Sequence, residues 1–356
     1  MGQIWRGLTG FLLAGIVYAF ADKVPLPGLD VEAAYRSAHI SDRLSINALG
    51  LTPIFTALAY AEIARLIFSH TPTPGGSTLG RLTTLSLALM IAGLQGYSVV
   101  SGLSSANLIS SPTPVVAIVG TLVGATVILI MIAERLELSG FRNGFWTLWV
   151  IAYLLVLPSD IENSVSATVT GMASIGEWLV ILAYVSISVC AVSIIRAVWI
   201  SSFVSERHCG PQEDGFGILV WPPYLANLCG GYLIMGLAVV SPAAIDALMP
   251  HARVMVFGAM CALTPIFTYG YFRRVQKRAN TAIPIAVFVL ISAVQVLIVA
   301  VGGVIDAYRT LPIWVSGLSL LVLTIVILDV GDKLPGVQWI RSRGRTAGET
   351  GVNRPA

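Results

Sequence analysis

The stretch RLSINALGLTPIFTALAYAEIARL, from Arg43 to Leu66, decides what kind of fold this chain adopts. Residues 46–68 are mostly apolar over a length that matches the roughly 20 residues of a membrane-crossing helix. Pro53 lacks a backbone N–H, and a membrane tolerates the freed carbonyl only where a neighbouring helix or a water-filled cavity satisfies it. The stretch therefore predicts a transmembrane helix that faces either a cavity or a closely packed neighbour.

The rest of the chain has the same apolar character. Of its 356 residues, 56% are hydrophobic and only 11% are charged, and its mean hydropathy is +0.84. Because a water-soluble domain of this length could not cover so much apolar surface, we expect an all-α polytopic membrane protein. Ten candidate spans follow from the length rule, of which the first and fifth are short: 8–21, 46–68, 82–102, 114–133, 144–158, 178–200, 218–241, 254–272, 281–304 and 312–331.

The positive charges predict the orientation of these spans. With the N-terminus in the cytoplasm, 16 of the 21 Lys and Arg residues fall in cytoplasmic segments, as the positive-inside rule expects. An even number of spans then puts both termini in the cytoplasm. The tail 336–356, rich in Arg, Gly and Thr, is expected to be disordered and to touch anionic lipid.

The hexapeptide LTPIFT raises the question of an internal duplication, because it occurs at 51–56 and again at 263–268. Inverted five-helix halves would pair span two with span seven, whereas the copies lie in spans two and eight. We therefore interpret the second copy as a coincidence. GILVWPPYLAN in span seven is a better placed match, with Pro222 facing Pro53, but it is too weak to establish a duplication.

Five stretches together carry a resemblance to a known family, through their order and spacing. VPLPGLD at 24–30 resembles the external segment of the SecY family, the protein-conducting channel of the plasma membrane, and Arg43–Leu66 resembles its second span. The other three resemble its third span, its fourth span with the start of the fifth, and its last span; they are GRLTTLSLALMIAGLQG at 80–96, TLVGATVILIMIAERLELSGFRNGFWTLW at 121–149 and LPIWVSGLSLLVLTIVILDV at 311–330.

The resemblance implies ten transmembrane helices in two inverted five-helix halves, residues 1–177 and 178–335, around a central hourglass pore. It implies a lateral gate between spans two and three on one side and spans seven and eight on the other. It also implies a multi-pass protein of the bacterial plasma (inner) membrane.

The same resemblance implies a ring of apolar side chains that constricts the pore at mid-membrane. Apolar constrictions exclude water, so such a ring blocks ions and can still part around a passing chain. The alternative is that its aromatic members merely pack the core of the bundle. Carried over to this chain, the ring consists of Leu51 and Phe55 in span two, Phe145 and Trp149 in span five, Trp221 in span seven and Val322 in span ten.

The family resemblance also suggests roles for polar residues near the expected gate. Gln95 and Asn227 would lie beside the lateral gate, although ordinary interhelical hydrogen bonds explain them equally well. Glu62 and Arg65 are expected to pair on one helix face and to snorkel towards the cytoplasmic surface. A basic cluster at the end of span eight would contact lipid headgroups or an acidic partner, or only anchor the topology; it consists of Arg273, Arg274, Lys277 and Arg278.

This chain departs from the family in its external segment and in its cytoplasmic loops, and these departures reduce the set of partners that we expect. The external segment after span one lacks the Gly-Gly-Ala stretch that precedes span two in the family, so the plug is expected to be reduced. The cytoplasmic loops at 204–217 and 272–280 are short, which puts binding of a ribosome or a motor ATPase in doubt. The expected partners are polypeptides with an apolar targeting helix, the lipid bilayer and a small SecE-like companion subunit; no nucleic acid is expected.

Signs of enzymatic chemistry are missing from the sequence. No Gly-rich loop ends in Gly-Lys-Ser/Thr, no His, Asp, Ser grouping suggests hydrolysis, and the acidic, His and Cys residues at 206–214 lack the spacing of a metal site. We therefore expect no enzyme, no cofactor and no metal. The predicted function is a SecY-like channel that translocates polypeptides or inserts them laterally; the alternatives are a secondary transporter of a small solute and a non-conducting SecY-like scaffold.

Overall fold

The computed structural model describes residues 2–30, 32, 44–68, 78–109, 114–138, 144–203, 211–240, 252–279, 284–308, 310–313 and 315–331. Within these ranges the chain is all-helical apart from two isolated bridges between loop residues. The ten helices are α1 (Gly2–Lys23), α2 (Thr52–Ile67), α3 (Thr78–Ser105), α4 (Val115–Leu138), α5 (Gly144–Val169), α6 (Ile175–Phe203), α7 (Pro211–Val240), α8 (Ala252–Ala279), α9 (Ile285–Tyr308) and α10 (Gly317–Gly331).

Seven of these helices, α3 to α9, are long and apolar enough to cross a membrane. Their outward faces carry large apolar side chains that are more than half exposed, such as Val116, Leu182 and Leu297. In water these faces would aggregate, whereas lipid tails cover them without loss. The length, composition and exposed apolar side chains of these helices thus agree with a helical bundle embedded in the lipid bilayer.

The helices pack in the same pairwise pattern in the first five and in the last five. In the first set, α1 contacts α4 and α5, α2 contacts α3 and α4, and α4 contacts α3 and α5. In the second set, α6 contacts α9 and α10, α7 contacts α8 and α9, and α9 contacts α8 and α10. Each pair in the first set therefore recurs five helices later, although α7 also touches α6 and α10. Between the sets, α2 meets α7 and α8, and α5 meets α10.

The start of α2 lies later than the predicted start of span two. Residues 44–51 form turns that are tied to the segment after α1, with Leu26 N donating to Leu44 O at 2.9 Å and Ile46 N to Val24 O at 2.9 Å. Gly50 has a φ of +51°, which only glycine adopts without strain, and it turns the chain into α2. Leu44 and other apolar side chains of this segment are buried, as non-helical backbone in a membrane protein requires.

The prediction that Pro53 frees a carbonyl inside span two is wrong. Pro53 is the second residue of α2, and the first N–H groups of a helix have no intrahelical acceptor in any case. The second LTPIFT copy behaves differently, because its Pro265 lies inside α8. The two copies therefore occupy unlike positions in the fold.

Spans five and ten also differ in length from the prediction. Helix α5 continues through Pro158 to Val169, beyond the predicted end at 158, because one proline removes a single helical hydrogen bond and need not end the helix. Its outer third carries Asp160 and Glu162, which an apolar-run criterion rejects. Helix α10 begins only at Gly317, five residues after the predicted start of span ten.

The N-terminal end of α6 is tied to the segment before α10 by one carboxylate. Glu177 Oε2 accepts hydrogen bonds from the N–H groups of Thr310 at 2.9 Å and Leu311 at 3.2 Å, and Oε1 accepts from Thr310 Oγ1 at 2.7 Å. Glu177 also closes a capping box with Ser174, whose Oγ accepts from Glu177 N at 3.3 Å. One side chain thus caps α6 and orders the non-helical approach to α10.

Replacing Glu177 with alanine is expected to loosen this junction between α6 and the segment before α10. The amides of Thr310 and Leu311 lose their acceptor, so their hydrogen exchange should accelerate severalfold while the buried turns of α9 keep their protection. Hydrogen–deuterium exchange of the protein in lipid nanodiscs measures both. The matched control is Glu162→Ala, which removes an exposed carboxylate from the outer part of α5. Equal exchange at 310–311 in wild type and Glu177→Ala would contradict the prediction.

Candidate functional site

An aromatic cluster lies where α2, α5 and α7 meet. Trp146 of α5 is its centre, with only 2% of its surface exposed. Its indole packs against five other rings: Phe55 of α2 (ring centroids 4.6 Å apart), Trp221 (5.2 Å), Tyr224 (5.5 Å) and Phe216 (6.3 Å) of α7, and Trp149 of α5 (6.5 Å).

The rings of the aromatic cluster meet mostly edge to face. Trp146 and Tyr224 stand at 90°, and Trp146 and Trp221 at 76°. Such arrangements bring the positive edge of one ring to the negative face of the next, which adds roughly 0.5–1.5 kcal/mol per pair to the burial of apolar area. The cluster is therefore a dense apolar junction that joins the two sets of five helices.

Three of the six predicted ring residues belong to this cluster: Phe55, Trp149 and Trp221. The other three lie in the same apolar core. Leu51, just before α2, is 6% exposed, Val322 of α10 is fully buried, and Phe145 is half-buried beside the cluster's centre. Their part in a constriction remains a prediction.

The sequence analysis missed the centre of the cluster. The family resemblance implies Phe145, which follows Asn143-Gly144, and Trp149 one helical turn later, yet Trp146 and Trp149 are spaced i, i+3 and share a face as well. Tyr224 follows Trp221 with the same spacing on α7. A search for aromatic pairs at i, i+3 spacing on both helices would have found this face, whereas only the tertiary packing shows that Trp146 is the central ring.

The proline pair of α7 lies beside the cluster and depends on a neighbouring helix. A proline cannot donate to the carbonyl four residues earlier, so Pro222–Pro223 leaves the carbonyls of Ile218 and Leu219 without their helical donors. Gln295 of α9, itself fully buried, donates from Nε2 to both oxygens, at 2.8 Å and 3.0 Å. Thr268 Oγ1 of α8 donates to Gln295 Oε1 at 2.8 Å and orients the amide.

Of the two explanations left open for a proline within a span, the neighbouring helix is therefore the one that applies to α7. A single amide replaces both missing donors, and it links α7 to α8 and α9. Gln295 is a lone glutamine in the otherwise apolar run of α9, and this feature of the sequence could have predicted that the residue has a buried polar partner.

A second junction lies between α2 and the pair α7 and α8, and we call it the seam. Tyr60 of α2 and Tyr232 of α7 stack with centroids 6.1 Å apart, and both are 41% exposed on the outer surface. Further along α2, Tyr271 of α8 donates a hydrogen bond to Glu62 Oε2 at 2.8 Å. Glu62 is 5% exposed, so the prediction that it snorkels to water is wrong.

The polar residues predicted for the gate and the basic cluster are placed as follows. Gln95 is half-buried on α3 and Asn227 is half-buried on α7. On α8, Arg273 is exposed and Arg274 is half-buried. Lys277 and Arg278 belong to the last turns of α8, but their side chains lie outside the described part of the chain. Their roles remain predictions.

Some predictions fall outside the described residues. These are residues 33–43 of the segment between spans one and two, in which a reduced plug is expected, residues 204–210 of the loop after span six, and the tail 336–356. Among the residues that the structure does describe, no group of three or more His, Cys, Asp or Glu side chains could hold a metal ion.

Fold and surface together define the class: this is an all-helical, multi-pass membrane protein. Compared by sequence, the chain matches no protein-family model and no curated protein. Compared by fold, it resembles solved structures of protein-conducting channels.

Three such structures illustrate the likeness, and each covers 93% of this chain and 91% of its own. One concerns the SecY protein, whose plug domain is described as stabilising the closed state of the translocation channel; it has a TM-score of 0.56 and 11% identity. Another is a protein-conducting channel, with a TM-score of 0.56 and 10% identity. A third is Sec61 of the canine ribosome–channel complex from the endoplasmic reticulum, with a TM-score of 0.54 and 11% identity.

The chain therefore has a SecY-like fold, and the resemblance drawn from its motifs is confirmed at the level of the fold. At 10–11% identity the likeness does not transfer residues or partners. Any such assignment rests on the side chains of this protein.

Proposed function

We propose that this protein is a SecY-like channel that translocates polypeptides or inserts them laterally into the membrane. The observation that carries the proposal is the aromatic cluster. Its rings come from α2, α5 and α7, which are three of the four helices on which the resemblance expects the constriction. A fold shared with protein-conducting channels over 93% of the chain supports the same function.

The chemistry of the aromatic cluster suits a seal that opens around a chain. A constriction lined by large apolar rings holds no stable water column, so hydrated ions do not pass. The rings are held by packing and are not crosslinked, so a polypeptide segment can displace them. In this proposal Phe55, Trp146, Trp149 and Trp221 form the seal, and Leu51, Phe145 and Val322 flank it.

The proposed architecture is two inverted halves, residues 1–177 and 178–335, around an hourglass pore with ten spans. The pairwise packing that recurs after five helices supports this division. The contacts between α5 and α10 would then act as the closed side of the clamp, and the seam at α2, α7 and α8 as the lateral gate. Gln95 and Asn227 would tune this gate.

The proposed setting is the bacterial inner membrane with both termini in the cytoplasm, as the positive charges indicate. The basic residues Arg273 and Arg274 would face lipid headgroups or an acidic partner at the cytoplasmic end of α8. A small SecE-like subunit is the expected companion. Short cytoplasmic loops argue for a driver other than the usual ribosome or motor ATPase.

A non-conducting scaffold is the second candidate, and one observation favours it. Five rings pack closely around Trp146, and a cluster as large as this seals more permanently than a ring of small aliphatic side chains. A secondary transporter has less support, because the buried acid Glu62 is already paired with Arg65 and Tyr271 and is not free to couple ions.

Photocrosslinking in living cells tests the proposed function. A photoreactive amino acid in place of Trp149 is expected to give adducts with secreted or membrane polypeptides, identified by mass spectrometry. The control is the same probe in place of Tyr97, which is 63% exposed on the outer face of α3. Polypeptide adducts at Trp149 but not at Tyr97 support the channel; their absence from well-expressed protein leaves the scaffold as the better account.

A further inference from the structure

Glu62 is a charged side chain in a place where burial needs an explanation. It lies on α2 with 5% of its surface exposed, and both of its carboxylate oxygens are engaged. Oε1 pairs with the Arg65 guanidinium one turn further along the same helix. Oε2 accepts the hydroxyl of Tyr271, which belongs to α8 and is itself 6% exposed. One oxygen is therefore satisfied within α2 and the other across the seam.

Helices α2 and α8 are in close contact around Glu62. A Cβ on Gly270 would lie only 3.5 Å from Leu66 Cδ2, so the last turns of α2 rest directly on the backbone of α8. Tyr271, Phe272 and Val275 of α8 are buried in the main apolar core. Water therefore has little access to Glu62 while the two helices remain together.

A buried carboxylate of this kind is stable when the seam is fully closed or fully open, and it is unstable when the seam is partly open. While the seam is closed, the desolvated charge is compensated by Arg65 and Tyr271. When the seam is fully open, water solvates the same groups. A partly open seam breaks the hydrogen bond from Tyr271 before water can replace it, so Oε2 of the buried carboxylate loses its donor while Arg65 stays on Oε1, and a buried charged oxygen without a donor is unfavourable.

We propose that Glu62, Arg65 and Tyr271 form a polar latch that holds α2 against α8 and makes opening of the seam an all-or-none step. This inference rests on the proposed function only in naming the seam as a gate; the two-state behaviour of the contact stands without it. The latch differs in kind from the Tyr60–Tyr232 stack, because that pair is half exposed and can slide without leaving a buried carboxylate oxygen without a donor.

Distance measurements across the seam test the latch. Spin labels on Ile67→Cys of α2 and Ile266→Cys of α8, both at exposed positions, report the separation of the two helices in lipid nanodiscs. The four native cysteines are replaced first. Tyr271→Phe removes only the hydroxyl, and the longer-distance population should rise about tenfold, since a hydrogen bond to a charged group is lost. The matched control is Tyr269→Phe on an exposed residue of the same helix, whose ring contact with Phe288 is kept.

A second variant separates the latch from general damage to the fold. Glu62→Gln removes the charge but keeps an oxygen acceptor, so it should also favour the longer distance. The double variant Glu62→Gln with Tyr271→Phe should add little to either single change, because both act on one contact. A distance distribution that stays as in wild type in Tyr271→Phe, or fully additive effects in monodisperse protein, would overturn the latch.

The two proposals fail in different ways. Longer distances in Tyr271→Phe without polypeptide adducts at Trp149 would keep the latch and remove the channel. Polypeptide adducts with an unchanged distance distribution would keep the channel and remove the latch.

Discussion

Replacing Gln295 with leucine is expected to lower the apparent melting temperature of the detergent-solubilised protein by roughly 3–5 °C. The reason is the proline pair of α7. Gln295 Nε2 is the donor for the two carbonyls that Pro222–Pro223 deprives of their helical partners. Leucine has a similar volume but no donor, so both carbonyls would stay buried and unsatisfied, at a cost of about 2–4 kcal/mol.

Two further variants make this result specific. Thr268→Val removes only the hydroxyl that orients the Gln295 amide, so its effect should have the same sign and less than half the size. Gln95→Leu makes the same change at a half-buried position on α3 and should leave the melting temperature within about 1 °C of wild type. A Gln295→Leu protein as stable as Gln95→Leu would show that the two carbonyls find other donors.

Replacing Trp146 with alanine is expected to have the second large effect. It removes the central ring of the aromatic cluster and leaves a cavity between α2, α5 and α7, which destabilises the protein by about 3 kcal/mol. If the cluster seals a pore, water enters that cavity and the resting ion conductance of reconstituted protein rises. Planar-bilayer recordings measure the conductance, and thermal denaturation in detergent measures the stability.

Trp199→Ala is the control for the Trp146 variant. Trp199 of α6 is 1% exposed and lies outside the aromatic cluster, so its loss should destabilise the fold comparably. It should not raise the conductance. Equal conductance in both variants, with both proteins folded, would argue against the cluster as a seal and for the non-conducting scaffold.

The number of helices and the membrane setting followed from the sequence because they depend on local length and hydropathy. Ten apolar runs predicted ten transmembrane helices; ten helices are present within the described residues, and seven of them are long and apolar enough to cross a membrane. Their ends were less accurate. Helix α5 runs past Pro158 and α2 starts after Gly50, because a polar outer turn or a buried non-helical segment has no distinct local signature.

The side chains of the candidate site could be predicted only in part. Phe55, Trp149 and Trp221 were found through their motifs, and the structure brings them together. Trp146 was passed over, although it stands next to Phe145, because the sequence does not show which face of α5 meets α7. The aromatic cluster exists only where three helices from distant parts of the chain cross.

By itself, the sequence determined that this protein is a helical bundle solvated by lipid, with a predicted orientation and a SecY-like order of motifs. The tertiary structure decided the distant partners of several polar groups: Gln295 for the carbonyls that the prolines of α7 free, Tyr271 for Glu62, and Thr310 for Glu177. The physical reason is that hydropathy is a property of each segment. A hydrogen bond between residues more than 70 positions apart, by contrast, exists only once the helices have packed.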